Sequence, residues 1–199
     1  MSSKAASYGD PRTRDRILEA TWELIEEHGS TPRLTDVADR AGVSRQTVYL
    51  HFGDRAGLLV ALVQYMDQRL GLDDAATRIH QAPTGVQALE TMVQALSVFA
   101  SKIDSVAQVL EAAQHQDTSV AAAWRDRMAG RQTLNRAIFQ RIANEGRLAE
   151  GWTIEAAAAL TYTLTMPGPW RELTRELGWT RQQYAENLTK LLRRSLITD

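Results

Sequence analysis

The stretch Leu34-Thr35-Asp36-Val37-Ala38-Asp39-Arg40-Ala41-Gly42-Val43-Ser44-Arg45-Gln46-Thr47-Val48-Tyr49-Leu50-His51-Phe52 decides the fold. It holds two short runs of helical periodicity, over residues 34–41 and 44–52, separated only by Gly42-Val43. Two helices that cross steeply over so short a turn need a small side chain where they touch, and Ala38 supplies it. The turn needs a residue that takes positive φ without steric cost, and Gly42 supplies that. Val37, Val43 and Val48 face inward and close a small core. Ser44 stands where its hydroxyl can accept an early amide of the second helix. The pattern predicts a helix-turn-helix.

At about 100° per residue, Val48 and Phe52 lie on one side of the second helix. Gln46, Thr47 and Leu50 point broadly the other way, with Arg45 and Tyr49 flanking them. A recognition helix presents its N-terminal side chains to base edges. Arg45 could pair with guanine O6 and N7, and Gln46 with adenine N6 and N7. Thr47, Tyr49 and His51 suit phosphate contacts. Leu50 suits a thymine methyl or a sugar. The same residues also permit a plainer reading, two packed helices with polar outer faces that bind nothing.

Outward from this stretch the chain is helical throughout, with no hairpin turn signal and no long β-branched alternation. A first helix opens at Asp10-Pro11 and stops at His28-Gly29, with Ile17, Leu18, Ala20, Trp22, Leu24 and Ile25 as its apolar positions. Asp54 can cap a long helix to Gly71, and the polar residues 71–83 read as a boundary. Thr84-x-x-Gln87 is a capping-box pattern that starts the next helix, and Asp104 or Ser105 could start another, ending near His115. Asp117 precedes a helix to Gly146. Thr153 opens an Ala-rich helix reaching Met166, broken by Pro167-Gly168-Pro169. Thr180-x-x-Gln183 is a second capping box, followed by Leu188, Leu191, Leu192 and Leu196. The expectation is an all-α chain of about nine helices: a three-helix head carrying the helix-turn-helix, then a helical bundle.

Bulk composition constrains function mainly by exclusion. The formal net charge is -1, and residues 1–52 carry seven Lys and Arg against eight Asp and Glu, so any nucleic-acid binding must come from local arrangement. The absence of cysteine excludes disulfides and thiolate metal sites. No apolar run reaches the length of a membrane span. Residues 1–10 lack an apolar signal core and read as a flexible arm, so a cytoplasmic location is expected. Glu111 and His115 share a helix face, but no second carboxylate–histidine pair joins them, so no metal is expected. No nucleophile–base set or Gly-rich phosphate loop stands out, so neither catalysis nor a cofactor is expected.

Residues 12–62 resemble the TetR (tetracycline repressor) family, also described as TetR/AcrR-type regulators. The resemblance rests on Ile17-Leu18-x-Ala20 with Leu24-Ile25 and His28-Gly29, on Val37-Ala38-x-x-Ala41-Gly42-Val43-Ser44, and on Thr47-Val48-Tyr49-x-x-Phe52 with a basic residue and Leu58 after it. It implies a DNA-binding domain over residues 11–55, with helix four running from residue 54 to link the domains. It implies a ligand-binding and dimerisation domain over 56–199. Family positions that contact DNA fall on Arg33, Thr35, Ser44, Arg45, Gln46, Thr47, Tyr49 and His51, and Arg55 takes the place of a phosphate contact. Three departures stand out. The loop before the second helix is one residue shorter. Arg33 replaces a helix-capping Thr, so either Arg33 takes the phosphate role or Thr35 becomes the cap. Gln46 replaces a Gly or Ala, adding a base-reading side chain.

The resemblance further implies a palindromic double-stranded DNA operator, a homodimer and a small-molecule effector. Tyr65, Met92, Phe99, Trp124, Met128, Trp152, Tyr162, Met166 and Trp170 could line an effector pocket or be plain core, with Gln114, His115 and Thr161 as polar handles. Ala157, Thr161, Leu188, Leu191 and Leu192 could form a dimer face or an intrachain core. Pro167-Gly168-Pro169 could kink helix eight near the pocket or be a simple turn between helices.

Overall fold

The computed structural model describes residues 10–198. Among them there are ten α-helices and no strand. They are α1 (Pro11–His28), α2 (Leu34–Ala41), α3 (Arg45–Phe52), α4 (Arg55–Leu70), α5 (Leu72–Gln81), α6 (Gly85–Ala113), α7 (Thr118–Asn144), α8 (Ile154–Leu164), α9 (Pro167–Arg171) and α10 (Arg181–Leu196). A π-helical turn, Glu172–Glu176, follows α9. The all-helical expectation holds, with one helix more than expected. The arm expected over residues 1–10 lies outside the described residues except for Asp10, whose carboxylate accepts the Arg12 amide at 3.0 Å and caps α1.

The chain forms two compact units. The first takes in the described residues up to Arg69 together with Ser105–Trp124. Ile17, Leu18, Ile25, Val37, Val48, Leu58 and Leu62 are fully buried there. This unit is larger than the 11–55 span read from the motif, because α4 and residues 105–124 cluster with the head. The salt bridge of Arg40 with Glu27, at 2.7 Å, and with Glu23, at 3.3 Å, ties α2 to α1. The hydrogen bonds from Arg40 and the neighbouring positive charge hold the Glu27 carboxyl below its usual range. Tyr65 on α4 donates to the Glu19 carboxylate at 2.6 Å. Burial and that carboxylate push the phenol up to about 12.

The second unit takes in Leu70–Asp104 and the described residues from Arg125 onward. Its core is built from Leu89, Met92, Val93, Phe139, Ile142, Ala157, Tyr184, Leu192 and Leu196. Gly85 opens α6 directly against α7. A Cβ there would stand 2.7 Å from the Ile142 side chain and 2.8 Å from its backbone nitrogen. The Glu145 carboxylate caps the same helix start by accepting the Gly85 amide at 2.8 Å and 3.0 Å. Thr180 and Gln183 form the expected reciprocal capping box at the start of α10.

Individual elements differ from the expectation in places. Within the polar stretch 71–83, residues 72–81 form α5, an amphipathic helix that buries Ala75 and Ile79, and the division between the two units falls just before it, after Arg69. Residues 85–113 form one continuous helix, and Asp104 lies inside it instead of starting another. Its carboxylate is buried and paired with Arg171 at 2.9 Å and Arg175 at 3.7 Å, so the polar residue that looked like a cap is an internal ion-pair acceptor. Helix α8 ends at Leu164, two residues earlier than expected. Of the two readings of Pro167-Gly168-Pro169, neither is met as stated: the segment is itself the first turn of α9, with Met166 as N-cap and Pro167 where a missing amide hydrogen costs nothing, and the break between α8 and α9 falls at Thr165 and Met166.

Candidate nucleic-acid interface

The expected crossing forms as the sequence requires. Gly42 ends α2 at φ 64°, and its amide donates back to the carbonyls of Ala38 and Asp39. The Val43 amide donates to Ala38 at 3.0 Å. Three residues suffice to turn the chain because only Gly42 takes a left-handed conformation. Ser44 then caps α3, its Oγ accepting the Thr47 amide at 3.1 Å. Val48 is 1% exposed and anchors α3 to the head, which leaves the opposite face to solvent.

That face carries the expected side chains. Arg45, Gln46, Tyr49 and Leu50 are all exposed, Leu50 at 50% and Tyr49 at 41%, values that are high for apolar and aromatic residues. The Arg45 guanidinium lies 5.3 Å from the Tyr49 ring centroid and donates to its hydroxyl at 3.2 Å. These two side chains therefore form one pre-ordered projection from the first turn of α3. Thr47 is half-buried, its hydroxyl 2.9 Å from the Ser44 hydroxyl. His51 is half-buried beside Phe52, with ring centroids 5.9 Å apart. Arg14 covers Phe52 at 5.5 Å.

The two residues left open between phosphate and capping roles separate clearly. Arg33 occupies the N-cap position of α2, with no side-chain cap bond, and is exposed. Thr35 does not cap, since its hydroxyl lies 3.3 Å from Asp36 Oδ1. Arg55 opens α4 and donates to the Thr31 carbonyl at 2.8 Å, tying the loop before α2 to the start of α4. One end of its guanidinium is thus fixed while the residue stays exposed.

With this geometry the comparisons with known proteins are direct. Residues 17–62 match the family model described as bacterial regulatory proteins, tetR family. Over those residues the chain is similar to the N-terminal segment of tetR-family regulators. The nucleoid occlusion factor SlmA of Aliivibrio fischeri is 31% identical over 62 residues, 30% of this chain and 32% of that protein. The chain thus matches about a third of the length of that relative. The uncharacterized HTH-type transcriptional regulator YdeS of Bacillus subtilis is 27% identical over 165 residues, 81% of this chain and 80% of YdeS. A transcriptional regulator from Saccharomonospora viridis, solved in complex with choline, superposes with a TM-score of 0.82 at 17% identity. That superposition covers 96% of this chain and all of that one, so the two share the fold along their whole length.

The residues expected at an effector pocket are dispersed. Met92 and Trp170 are part of the second unit's core, and Phe99 and Met128 are also buried. Tyr162 and Met166 are half-buried, as is Trp152. Tyr65 belongs to the first unit, where Glu19 holds its hydroxyl, and Trp124 is half-buried. His115 is exposed and Gln114 half-buried, bonded to the Glu111 carbonyl at 3.1 Å. An open groove of about 400 Å³ on the second unit is lined by Glu90, Gln94, Glu186, Thr189, Lys190, Arg193 and Arg194, none of them an expected ligand residue.

The expected dimer face is corrected in part. Ala157, Thr161, Leu188 and Leu192 are buried within the protomer and have no surface left to offer a partner. Leu191, 50% exposed, is the one of the five that remains on the outside. The leucine periodicity of α10 was generated by the intrachain core.

Arg131 on α7 was missed by the sequence reading. Its Nη2 donates to the Thr165 carbonyl at 2.5 Å and to the Thr165 hydroxyl at 3.2 Å. Its guanidinium lies 5.8 Å from the Tyr162 ring. A signal was available: Met128, Arg131, Asn135, Ile138 and Ile142 follow the 3-4 spacing of a buried stripe, with two polar members.

Proposed function

We propose that the protein is a homodimeric transcriptional repressor that sits on a palindromic operator and is released by a small-molecule effector. The observation that carries this reading is the outer face of α3, where a Ser44-capped helix start projects Arg45, Gln46, Tyr49 and Leu50 from a head anchored by Val48. Arg45 reads guanine and Gln46 adenine, while Leu50 packs on a thymine methyl. Ser44, Thr47, Tyr49 and His51, with Arg33, Thr35 and Arg55, set the helix on the phosphates. The protein works in the cytoplasm as a regulator and not as an enzyme.

One α3 reads few bases, so a second copy is needed. Two heads about 34–36 Å apart meet successive major grooves. An effector in the second unit favours a state in which the two heads no longer match that spacing. A hundredfold loss of operator affinity takes about 2.7 kcal/mol of coupling. The choline bound by the Saccharomonospora viridis regulator supports a ligand-responsive role for the shared fold.

Selection of bound sites from a random duplex library by the purified protein, at moderate salt, tests the reading. Enrichment of a palindrome with half-sites about one helical turn apart is expected. A folded protein that enriches no sequence would refute it.

A further inference from the structure

The second unit holds a half-buried positive charge with no negative one beside it. The Arg131 guanidinium donates to the carbonyl and hydroxyl of Thr165 and, at 3.9 Å, to the Met166 sulfur, and no carboxylate pairs with it among the described residues. Its Nε is fully buried and has no protein partner. A buried cation is ordinarily paired, because desolvation of a charge otherwise goes uncompensated. Burial pushes the Arg131 pKa below the ordinary arginine range, and the neighbouring Arg127 pushes the same way against the phenols of Tyr162 and Tyr184. Arginine nevertheless stays charged at neutral pH.

The unpaired Nε has company. Thr161 Oγ1 and Trp170 Nε1 are likewise buried without a protein partner, as is Asn135 Oδ1. Asn135 lies one turn beyond Arg131 on α7, its amide donating to the Arg131 carbonyl at 2.9 Å. Thr161 lies one turn before Thr165 on α8, and the Trp170 backbone amide donates to the Met166 carbonyl at 3.4 Å. The Tyr162 ring, at 5.8 Å, and the Met166 sulfur lie beside the Arg131 guanidinium. Native proteins rarely leave such groups unpaired, and each exception calls for a partner.

We infer that Arg131 is the anchor for an apolar monocarboxylate, whose carboxylate accepts from the unpartnered Nε–H while its apolar body lies against Tyr162 and Met166. A carboxylate accepts that hydrogen and supplies the counter-charge the guanidinium lacks, which a neutral amide does not. This inference rests on the effector-responsive reading given above and names the chemistry of the effector.

The test uses the full-length protein and pairs of probes: hexanoate, decanoate, phenylacetate and cinnamate, each beside its primary amide. The acids that fit raise the thermal unfolding midpoint by about 5 °C at a hundred times their dissociation constant, and their amides do not. Arg131→Gln removes the preference for acid over amide. Arg131→Lys, which keeps a point charge without the fork, retains the preference at about a tenth of the affinity. Far-UV circular dichroism confirms that each variant is folded. If Arg131→Gln does not fold, the acid–amide comparison on the unaltered protein and the Arg131→Lys variant still decide the matter. The inference is overturned if no acid in the panel shifts the midpoint, if amides shift it equally, or if Arg131→Gln keeps the acid preference. Those failures in a protein that still selects a palindrome would leave the repressor reading intact. A failure to select DNA, with the acid preference present, would remove the repressor reading and keep the site.

Discussion

Arg45 and Arg131 are the same residue type in opposite circumstances. Arg45 projects from the first turn of α3 into solvent and is steadied by the Tyr49 ring and hydroxyl. Arg131 points into the second unit, bonded to Thr165, with its Nε closed off from solvent. The exposed arginine contributes little to the fold and is free to meet a ligand as large as a duplex. The half-buried one keeps an Nε that solvent does not reach, so that Nε can strengthen a contact only with something that enters the unit. Polar side chains on an outer helix face thus act through affinity and specificity, whereas polar side chains in a buried stripe also bear on stability.

This contrast can be broken by substitution. The largest effect should fall in the second unit's core. Phe139, fully buried, is expected to cost about 3–5 kcal/mol of stability on substitution by alanine, read by denaturant unfolding. A loss below about 1 kcal/mol would mean that this core is looser than its burial implies. On the exposed side, Arg45→Ala should cost about 1–3 kcal/mol of operator affinity and relax specificity at one base pair. Its effect on stability should stay within about 0.5 kcal/mol. A large stability loss would erase the contrast between the two arginines.

Arg55→Ala sharpens the division inside the interface itself. It should weaken binding to all duplexes alike and flatten the salt slope by about one, as expected for loss of a phosphate contact. A sequence-dependent loss would place Arg55 among the base readers. Ser44→Ala should cost about 1 kcal/mol of stability, because the Thr47 amide loses its acceptor. An unchanged midpoint would mean that water replaces the cap. The smallest effect belongs to Leu50→Ala, below about 1 kcal/mol and confined to discrimination at one thymine. Selection experiments that return the same preference at every position would remove Leu50 from the readout.

The head was legible in the sequence because its informative residues act locally. Ala38, Gly42 and Ser44 do their work within a few residues of where they stand, through a close crossing, a left-handed turn and a cap. The Thr180–Gln183 capping box was legible for the same reason. Errors gathered where a residue acts across the chain. Asp104 looked like a helix start because acidic residues cap helices, yet its partners are 67 and 71 residues away, at Arg171 and Arg175. Leu188 and Leu192 looked like a dimer seam because a buried stripe has the same spacing whichever chain covers it.

By itself, then, the sequence determined an all-helical chain, the three-residue turn between α2 and α3, the capped start of α3 and the side chains on its outer face. Local sterics and the helical period of 3.6 residues are sufficient for those. Only the tertiary structure decided that α6 runs unbroken past Asp104, that four of five candidate interface residues belong to the protomer's own core, and that the Nε of Arg131 is closed off without a partner. Burial and pairing depend on which distant segments meet, and no local rule carries that information along the chain.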